Sequence, residues 1–255
     1  MARIFITGSS DGLGRAAARS LLRDGHEVLL HARSSERAHA LADFAPRCLG
    51  VVVGDLSSAA DTRSIAEQVN AIGRMDAVIH NAGIYRTHDR APTPEGHASI
   101  LAINALAPYL LTALIERPDR LVYLSSSEHF GGEGPLRDID WADRSWDAGK
   151  AYAESKLFMV ALAFAFAQRW PHVLSNAVDP GWARTRMGGP SAPVDIETGQ
   201  GTQSWLAVSN EPAATVSGRY WYQQHQQRPA SQARDATFQE RLLAEFRELT
   251  GTALP

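Results

Sequence analysis

Short apolar runs alternate with stretches of helical period through the first 180 residues, and this alternation constrains the fold more than any other feature. Ile4-Phe5-Ile6, Val28-Leu29-Leu30, 49–53, Ala77-Val78-Ile79, 121–124 and 173–178 read as strands. Between them, 13–22, 38–44, 59–71, 100–115 and 150–170 read as helices. Strands without polar alternation are buried on both faces, and helices supply the cover, which predicts an α/β doubly wound parallel sheet with helices on both faces. After Pro180 the texture changes. Gly181, Gly188-Gly189-Pro190 and Pro193 break regular structure, and a short helix (201–208), a strand (218–222) and a polar helix (236–249) ending at Gly251 follow. Nothing reads as a linker or a repeat, so 1–255 is taken as a single domain with 180–202 as a candidate mobile loop.

Composition removes several classes. With 44% hydrophobic residues in 255, the chain can bury a core and is not disordered. Its net charge is -3 and its 25 basic residues form no block, so nucleic acid is not an expected partner. Cys48 is the one cysteine, which forbids an intramolecular disulfide or thiolate cluster, and the histidines show no His-Glu-x-x-His spacing, so no metal is expected. Met1 is followed almost at once by the first strand, leaving no room for a leader, and a cytoplasmic protein is expected. The longest apolar stretch, 157–167, falls short of the roughly 20 residues of a membrane span and reads as a helix buried by the sheet or by a neighbouring subunit.

Thr7-Gly8-Ser9-Ser10-Asp11-Gly12-Leu13-Gly14 lies between the first strand and the first helix. Glycines there let the backbone turn tightly and approach a pyrophosphate at a helix N-terminus, as in Rossmann-type sheets, making Gly8, Ser10, Gly12, Leu13 and Gly14 candidate cofactor contacts. The second strand ends His31-Ala32-Arg33 without the carboxylate that would accept the ribose hydroxyls of NAD; Arg33 is either a fork for a 2′-phosphate or a solvated arginine.

Tyr152-Ala153-Glu154-Ser155-Lys156 sets a phenol and an ammonium four residues apart on one helix face. A positive charge within about 4–6 Å lowers a phenol pKa and makes it usable for proton transfer near neutrality, the logic of a carbonyl reductase or alcohol dehydrogenase. The chain has only two lysines, Lys150 and Lys156, the remaining basic residues being arginine. No Gly-x-Ser-x-Gly elbow surrounds Ser125-Ser126-Ser127, which argues against a serine hydrolase despite His129 nearby.

The spacing of the glycine loop, with Thr7 ahead of it, resembles the short-chain dehydrogenase/reductase family, and the likeness extends over nearly the whole chain. In such proteins Ala32-Arg33 accompanies preference for NADP(H) over NAD(H), although many NADP relatives carry a basic residue where this chain has Asp11. The resemblance implies that Asp55, with Leu56, meets the adenine edge; an N-cap role at Asp55 or Ser57 is compatible with it. Asn81-Ala82-Gly83 matches the family's Asn-Asn-Ala-Gly with His80 in the first place, its backbone passing beneath the adenine ribose. Ser126, at the end of the fifth strand, is matched to the serine that bonds the substrate oxygen, with Ser125 and Ser127 as its competitors. Asn104 is matched to the asparagine that holds a water in a proton relay with the lysine, and Pro180-Gly181 with Thr185 to the segment that meets the nicotinamide carboxamide. Tyr152 and Lys156 become general acid/base and ribose ligand. The implied function is hydride transfer between NADP(H) and a small, apolar carbonyl or alcohol, the rival reading being a dinucleotide-binding regulatory protein without turnover.

Two further features resemble the retinol-dehydrogenase-like and carbonyl-reductase-like members: an insertion at 131–148 and the segment Ser217-Gly218-Arg219-Tyr220. Trp141, Trp146, Trp182, Met187 and His129 either line an apolar pocket or pack the insertion onto the sheet. Relatives assemble through helices equivalent to 158–168, so a homodimer or homotetramer is expected, with a monomer as the alternative.

Overall fold

The computed structural model describes residues 1–42, 44–85, 87–132 and 136–255. Strands β1 (Arg3–Ile6), β2 (Glu27–Ala32), β3 (Gly50–Val53), β4 (Ala77–His80), β5 (Arg120–Leu124), β6 (Leu174–Asp179), β7 (Arg219–Tyr222) and β8 (His225–Gln227) form one sheet in the order β3-β2-β1-β4-β5-β6-β7-β8. The first seven are parallel, and Phe5 of β1 pairs with Leu29 on one side and Val78 on the other. Strand β8 runs antiparallel to β7 through a turn at Gln223 and Gln224, both at positive φ. Two positive-φ residues give a primed hairpin turn, whose twist matches the strands it joins. Polar and fully exposed, β8 carries no periodic signal in the sequence.

Alternate residues of the strands feed two apolar layers. Ile4, Ile6, Val28, Leu30, Ile79, Val122 and Leu124 pack against α1 (Gly12–Arg23) and α7 (Ile196–Val208). Phe5, Leu29, Val78, Leu121 and Tyr123 face α3 (Ala59–Ile72), the segment α4 (Ser99–Leu101) to α5 (Ala107–Leu114), and α6 (Ala148–Arg169). The last helix, α8 (Ala236–Thr250), caps that layer, and α2 (Ser35–His39) is a short turn after β2. Each Leu, Ile or Phe fully withdrawn from water contributes about 1.5–3 kcal/mol, so these layers outweigh any single polar contact.

The structure departs from the sequence reading in four places. The helix expected at 38–44 is α2, begun earlier because Ser34 Oγ accepts the Arg37 N–H, followed by a 3₁₀ turn at Ala45–Arg47 with Pro46 inside it. The helix expected at 201–208 is α7, five residues longer at its start, where Asp195 accepts the Thr198 N–H. Gly199 and Gly201 disguise it, yet Gly199 is where α7 meets α1: a Cβ there would stand 2.9 Å from Leu13 Cδ2. The expected loop 180–202 therefore ends at Asp195, and it is tied across its base by Arg184 N–H to Val194 O (2.9 Å) and Val194 N–H to Trp182 O (3.1 Å). Finally, a π turn at Ala102–Leu106 interrupts the expected helix 100–115 and carries Asn104.

The apolar stretch 157–167 finds its cover within the chain. Phe158 lies 6.0 Å from Phe246 and 6.5 Å from Phe238 of α8, and nearly every side chain of α6 from Ala151 to Phe166 is buried. The apolarity that suggested a subunit contact is therefore satisfied in cis by α8. Among the described residues, no helix is long and apolar enough to cross a membrane.

Candidate active site

At the carboxyl ends of β1 and β4, where the strand order reverses, the glycine loop is bolted to its neighbours by backbone and small side chains. Thr7 Oγ1 accepts the N–H groups of Asn81 and Ala82, both at 3.0 Å, and Asn81 Nδ2 donates to Thr7 O at 2.9 Å. Gly8 and Gly12 have φ of 63° and 54°, a region that L side chains avoid. Gly14 is buried at the loop's inner wall, where a Cβ would stand 2.5 Å from Asn81 Nδ2 and 2.6 Å from Gly8 O. Asp11 caps α1 by accepting the Gly12 N–H (2.8 Å), and the first-turn N–H groups beyond it are the donors a pyrophosphate needs. Ser10, Gly12 and Leu13 are half-buried at this mouth.

One residue of this half escaped sequence reasoning. His31 is buried, with Nδ1 accepting the Gly8 N–H (2.9 Å) and Nε2 donating to Gly54 O (2.9 Å). Burial holds its pKa below the usual histidine value, so it stays neutral in the tautomer those two bonds require. Arg33 is exposed at the end of β2. Asp55 Oδ1 accepts the Ser57 N–H (2.9 Å) in a local turn, and the cap of α3 is Ser58, not Asp55 or Ser57, because its nearby Oγ accepts the Asp61 N–H. Leu56 is buried in the core. His80 also points into the core, stacked on Tyr123 at 4.7 Å and bonded to Thr112, and burial pushes its pKa down to about 3.

The second locus lies at the end of β5. Ser125 is buried and donates to Lys156 O (2.8 Å), and Ser127 is exposed; Ser126, whose Oγ accepts the Glu128 N–H (3.2 Å), is the serine close enough to influence the Tyr152 phenol. Lys156 is buried, its Nζ donating to Leu124 O (2.9 Å) and standing 5.5 Å from the centre of the Tyr152 ring. Gly83 closes the gap between the loci: a Cβ there would lie 3.3 Å from Lys156 Nζ and 3.4 Å from Asn104 Oδ1. Asn104 is fully buried and bonded to Ile84 N–H (2.8 Å), Ile84 O (3.0 Å) and Ser155 Oγ (3.0 Å). Tyr85 sets its ring edge-on to Tyr152 at 4.6 Å, a contact without a sequence signal. Thr185 lies over the glycine loop, its Cγ2 3.5 Å from where a Gly12 Cβ would be, and Pro180 and Gly181 begin its segment.

The electrostatics correct one expectation. Burial raises the Tyr152 phenol above its ordinary value; Ser126 opposes that rise, and Tyr85, Asp179 and Glu128 add to it. Burial also brings Lys156 down to about 8, with the Asp179 carboxylate acting the other way. Desolvation outweighs the attraction that was to lower the phenol, so in the protein alone Tyr152 stays protonated through neutrality.

The described part of the insertion is a brace. Arg144 meets Glu154 with Nη1 on Oε1 and Nη2 on Oε2, both 2.8 Å, and Trp141 Nε1 donates to Glu154 Oε2 (2.9 Å). Glu154 belongs to the Tyr152–Lys156 turn, so the insertion grips the helix that carries both groups. Asp140 grips the other helix, accepting the Ala98 N–H (2.6 Å) and pairing with His97 and Arg90. Residues 133–135 of the insertion lie outside the described residues. Trp141 and Trp146 pack together at 5.7 Å against these helices rather than onto the sheet, His129 is buried between Ser126 O and the Ala230 N–H, and Trp182 and Met187 are exposed.

A sheet of this order with a glycine turn at its switch point and a buried Tyr–Lys pair beside it has the architecture of a dinucleotide-binding α/β protein. Residues 2–118 match the family model for short chain dehydrogenases. The chain is 38% identical to short-chain dehydrogenase chyC of Penicillium rubens, over 100% of each. It is 30% identical to retinol dehydrogenase 13 of Homo sapiens, over 99% of this chain and 85% of that one. An uncharacterized protein from Mycobacterium paratuberculosis has a similar structure, with a TM-score of 0.85 and 26% identity over 100% of this chain and 95% of that one. The chain belongs to the short-chain dehydrogenase/reductase family, in its retinol-dehydrogenase-like branch, and is an oxidoreductase of that family.

Proposed function

We propose that the protein is an NADP(H)-dependent carbonyl reductase or alcohol dehydrogenase acting on a small, apolar substrate. The observation that carries the reading is the meeting of Ser126, Tyr152 and Lys156 beside a glycine turn built to contact tolerance. The turn fits a dinucleotide because Gly8 and Gly12 adopt positive φ and Gly14 leaves no room for a side chain against the loop. Gly8, Ser10, Gly12, Leu13 and Gly14 would hold the pyrophosphate, Arg33 the 2′-phosphate, and Asp55 and Leu56 the adenine. Asn81, Ala82 and Gly83 would pass under the ribose, Tyr152 and Lys156 would take the nicotinamide ribose, and Pro180, Gly181 and Thr185 the carboxamide. When bound, the reduced cofactor supplies a hydride.

The chain supplies the proton and the geometry. Ser126 donates a hydrogen bond to the substrate carbonyl oxygen, and Tyr152, held protonated by burial, delivers its proton to that oxygen as the carbon is reduced. Lys156 then returns a proton to the phenolate, a transfer suited to an ammonium brought down to about 8. Asn104 supports the relay by fixing Ile84, and with it Gly83, against α6. Ring contact from Tyr85 walls the phenol from water.

Parallel calorimetric titration with NADPH and NADH tests the cofactor assignment, with NADPH expected to bind at least about tenfold tighter through charge-assisted hydrogen bonds to Arg33. Tighter NADH binding overturns Arg33's role. Tyr152→Phe tests the chemistry: NADPH-dependent turnover should fall by about 10²–10⁴ with cofactor affinity retained. Unchanged turnover would overturn the mechanism, and tight binding by a wild-type protein inert toward a panel of apolar carbonyls would favour a regulatory binder.

A further inference from the structure

Strand β2 outlasts β1. Their last paired rung is Ile6 with Leu30, so His31 lies beside the point where the glycine turn leaves the sheet, while β3 still pairs with it through Val52. His31 is buried there, and its hydrogen bonds run to two separate turns. On one side Nδ1 accepts the Gly8 N–H (2.9 Å), and the His31 backbone N–H donates to Ser9 Oγ (2.8 Å). On the other, Nε2 donates to Gly54 O (2.9 Å). Gly8 is thereby held by both of its polar groups, because Asn81 Nδ2 donates to Gly8 O (3.3 Å). These contacts pin the first peptide of the glycine turn, at a φ of 63° that side chains avoid. Gly54 is anchored in its turn against α3, where a Cβ would stand 2.9 Å from Ile65 Cγ1. Only one neutral tautomer makes both ring bonds, since the Gly8 N–H needs a bare Nδ1 and Gly54 O needs a proton on Nε2. An imidazole carries that acceptor and that donor on separate atoms, and so reaches both turns at once.

We propose that His31 is a positioning residue for the dinucleotide: its ring is the spacer that sets the glycine turn against the turn at Gly54-Asp55-Leu56. Under the proposed function the first turn holds the pyrophosphate and the second the adenine, and the inference rests on that assignment. One dinucleotide must meet both turns, so their separation has to suit it before it arrives. Without the ring, the Gly8 N–H and Gly54 O would be left buried and unpaired, which favours local rearrangement of each turn. Binding would then have to supply the ordering that the free protein no longer holds. The effect falls on the part that NADPH and NADH share, unlike that of Arg33, which concerns the 2′-phosphate alone.

Two substitutions separate the two ring bonds. In His31→Asn the shorter amide can accept the Gly8 N–H with Oδ1, but nothing reaches Gly54 O; in His31→Gln the longer amide can donate to Gly54 O, but the Gly8 N–H loses its acceptor. Calorimetric titration with NADPH and with NADH, run well below each variant's thermal transition, should find both dinucleotides bound about tenfold more weakly by each variant. The factor should be the same for the two dinucleotides, whereas Arg33→Ala, run beside them, should weaken NADPH only. Folded His31 variants that bind both dinucleotides within about twofold of wild type would overturn the proposal, as would a loss confined to NADPH. If neither variant folds, 15N-resolved histidine spectra of the wild type decide, with His31 assigned through its backbone. The ring should show a bare Nδ1 and a protonated Nε2 in the free protein and keep both when NADPH is added. A tautomer that changes on binding would mean that the ring does not set the turns beforehand, and the proposal would fall. Failure of the dinucleotide reading shows differently, as a wild type that binds neither NADPH nor NADH.

Discussion

The half of the site at β1 to β4 and the half at β5 to β8 are built by different means. The first is backbone, glycine and neutral hydrogen bonds: Thr7, Gly8, Gly14, His31 and Asn81 lock one another with no full charge among them. The second is built from buried charge: Lys156, Asp179, and Glu154 with Arg144. The family model matches 2–118, which is the first half. A cradle for a dinucleotide tolerates little variation in backbone path, whereas a substrate site can be rebuilt by changing side chains and loops.

If that contrast is right, the two halves should fail differently when damaged. The largest effect is expected from Gly14→Val in the first half: branched carbons would be forced into Asn81 and Gly8, and cofactor binding should be lost outright in calorimetry. In the second half, Arg144→Ala leaves Glu154 buried beside Trp141 without its cation, which should cost about 3–5 kcal/mol in a denaturant titration. Turnover in that variant should fall while NADPH affinity is spared; a loss of both in proportion would show that the insertion braces the whole sheet and dissolve the distinction.

The α8 cover gives a third test. Phe246→Ala should cost about 3–5 kcal/mol, and Phe246→Glu should pry α8 from Phe158 and expose the apolar face of α6. Light scattering should find Phe246→Glu more self-associated than the wild type; an association state unchanged by the substitution would show that α8 does not shield an adhesive face of α6.

The smallest effect concerns pH. Hydrogen bonding to Asp140 raises the His97 pKa above its ordinary value, so the pair's contribution is fully present below about pH 6.5 and is lost as pH rises through the raised folded value. The stability gap between wild type and His97→Gln, about 1 kcal/mol for a half-buried pair, should therefore narrow between mildly acidic and alkaline pH. A gap that stays constant with pH would mean that the histidine acts by packing alone.

Seven of the eight strands, and most helices, were legible in the sequence because short apolar runs and helical periodicity are properties of neighbouring residues. The glycine turn and the Tyr152–Lys156 pair were legible for the same reason: a turn needs its glycines consecutively, and one helical turn brings residues four apart together. The polar strand β8 and the Gly-bearing start of α7 were not, since each is held by contacts with distant elements rather than by its own propensity.

Among the functional residues, those set by local spacing declared themselves, and those set by the meeting of strands did not. His31 and Tyr85 have no periodicity to mark them; each matters because the fold carries it to a residue far along the chain. Whether burial or the lysine governs Tyr152 was likewise beyond the sequence, because desolvation depends on everything packed around the phenol, and only the tertiary structure sets that.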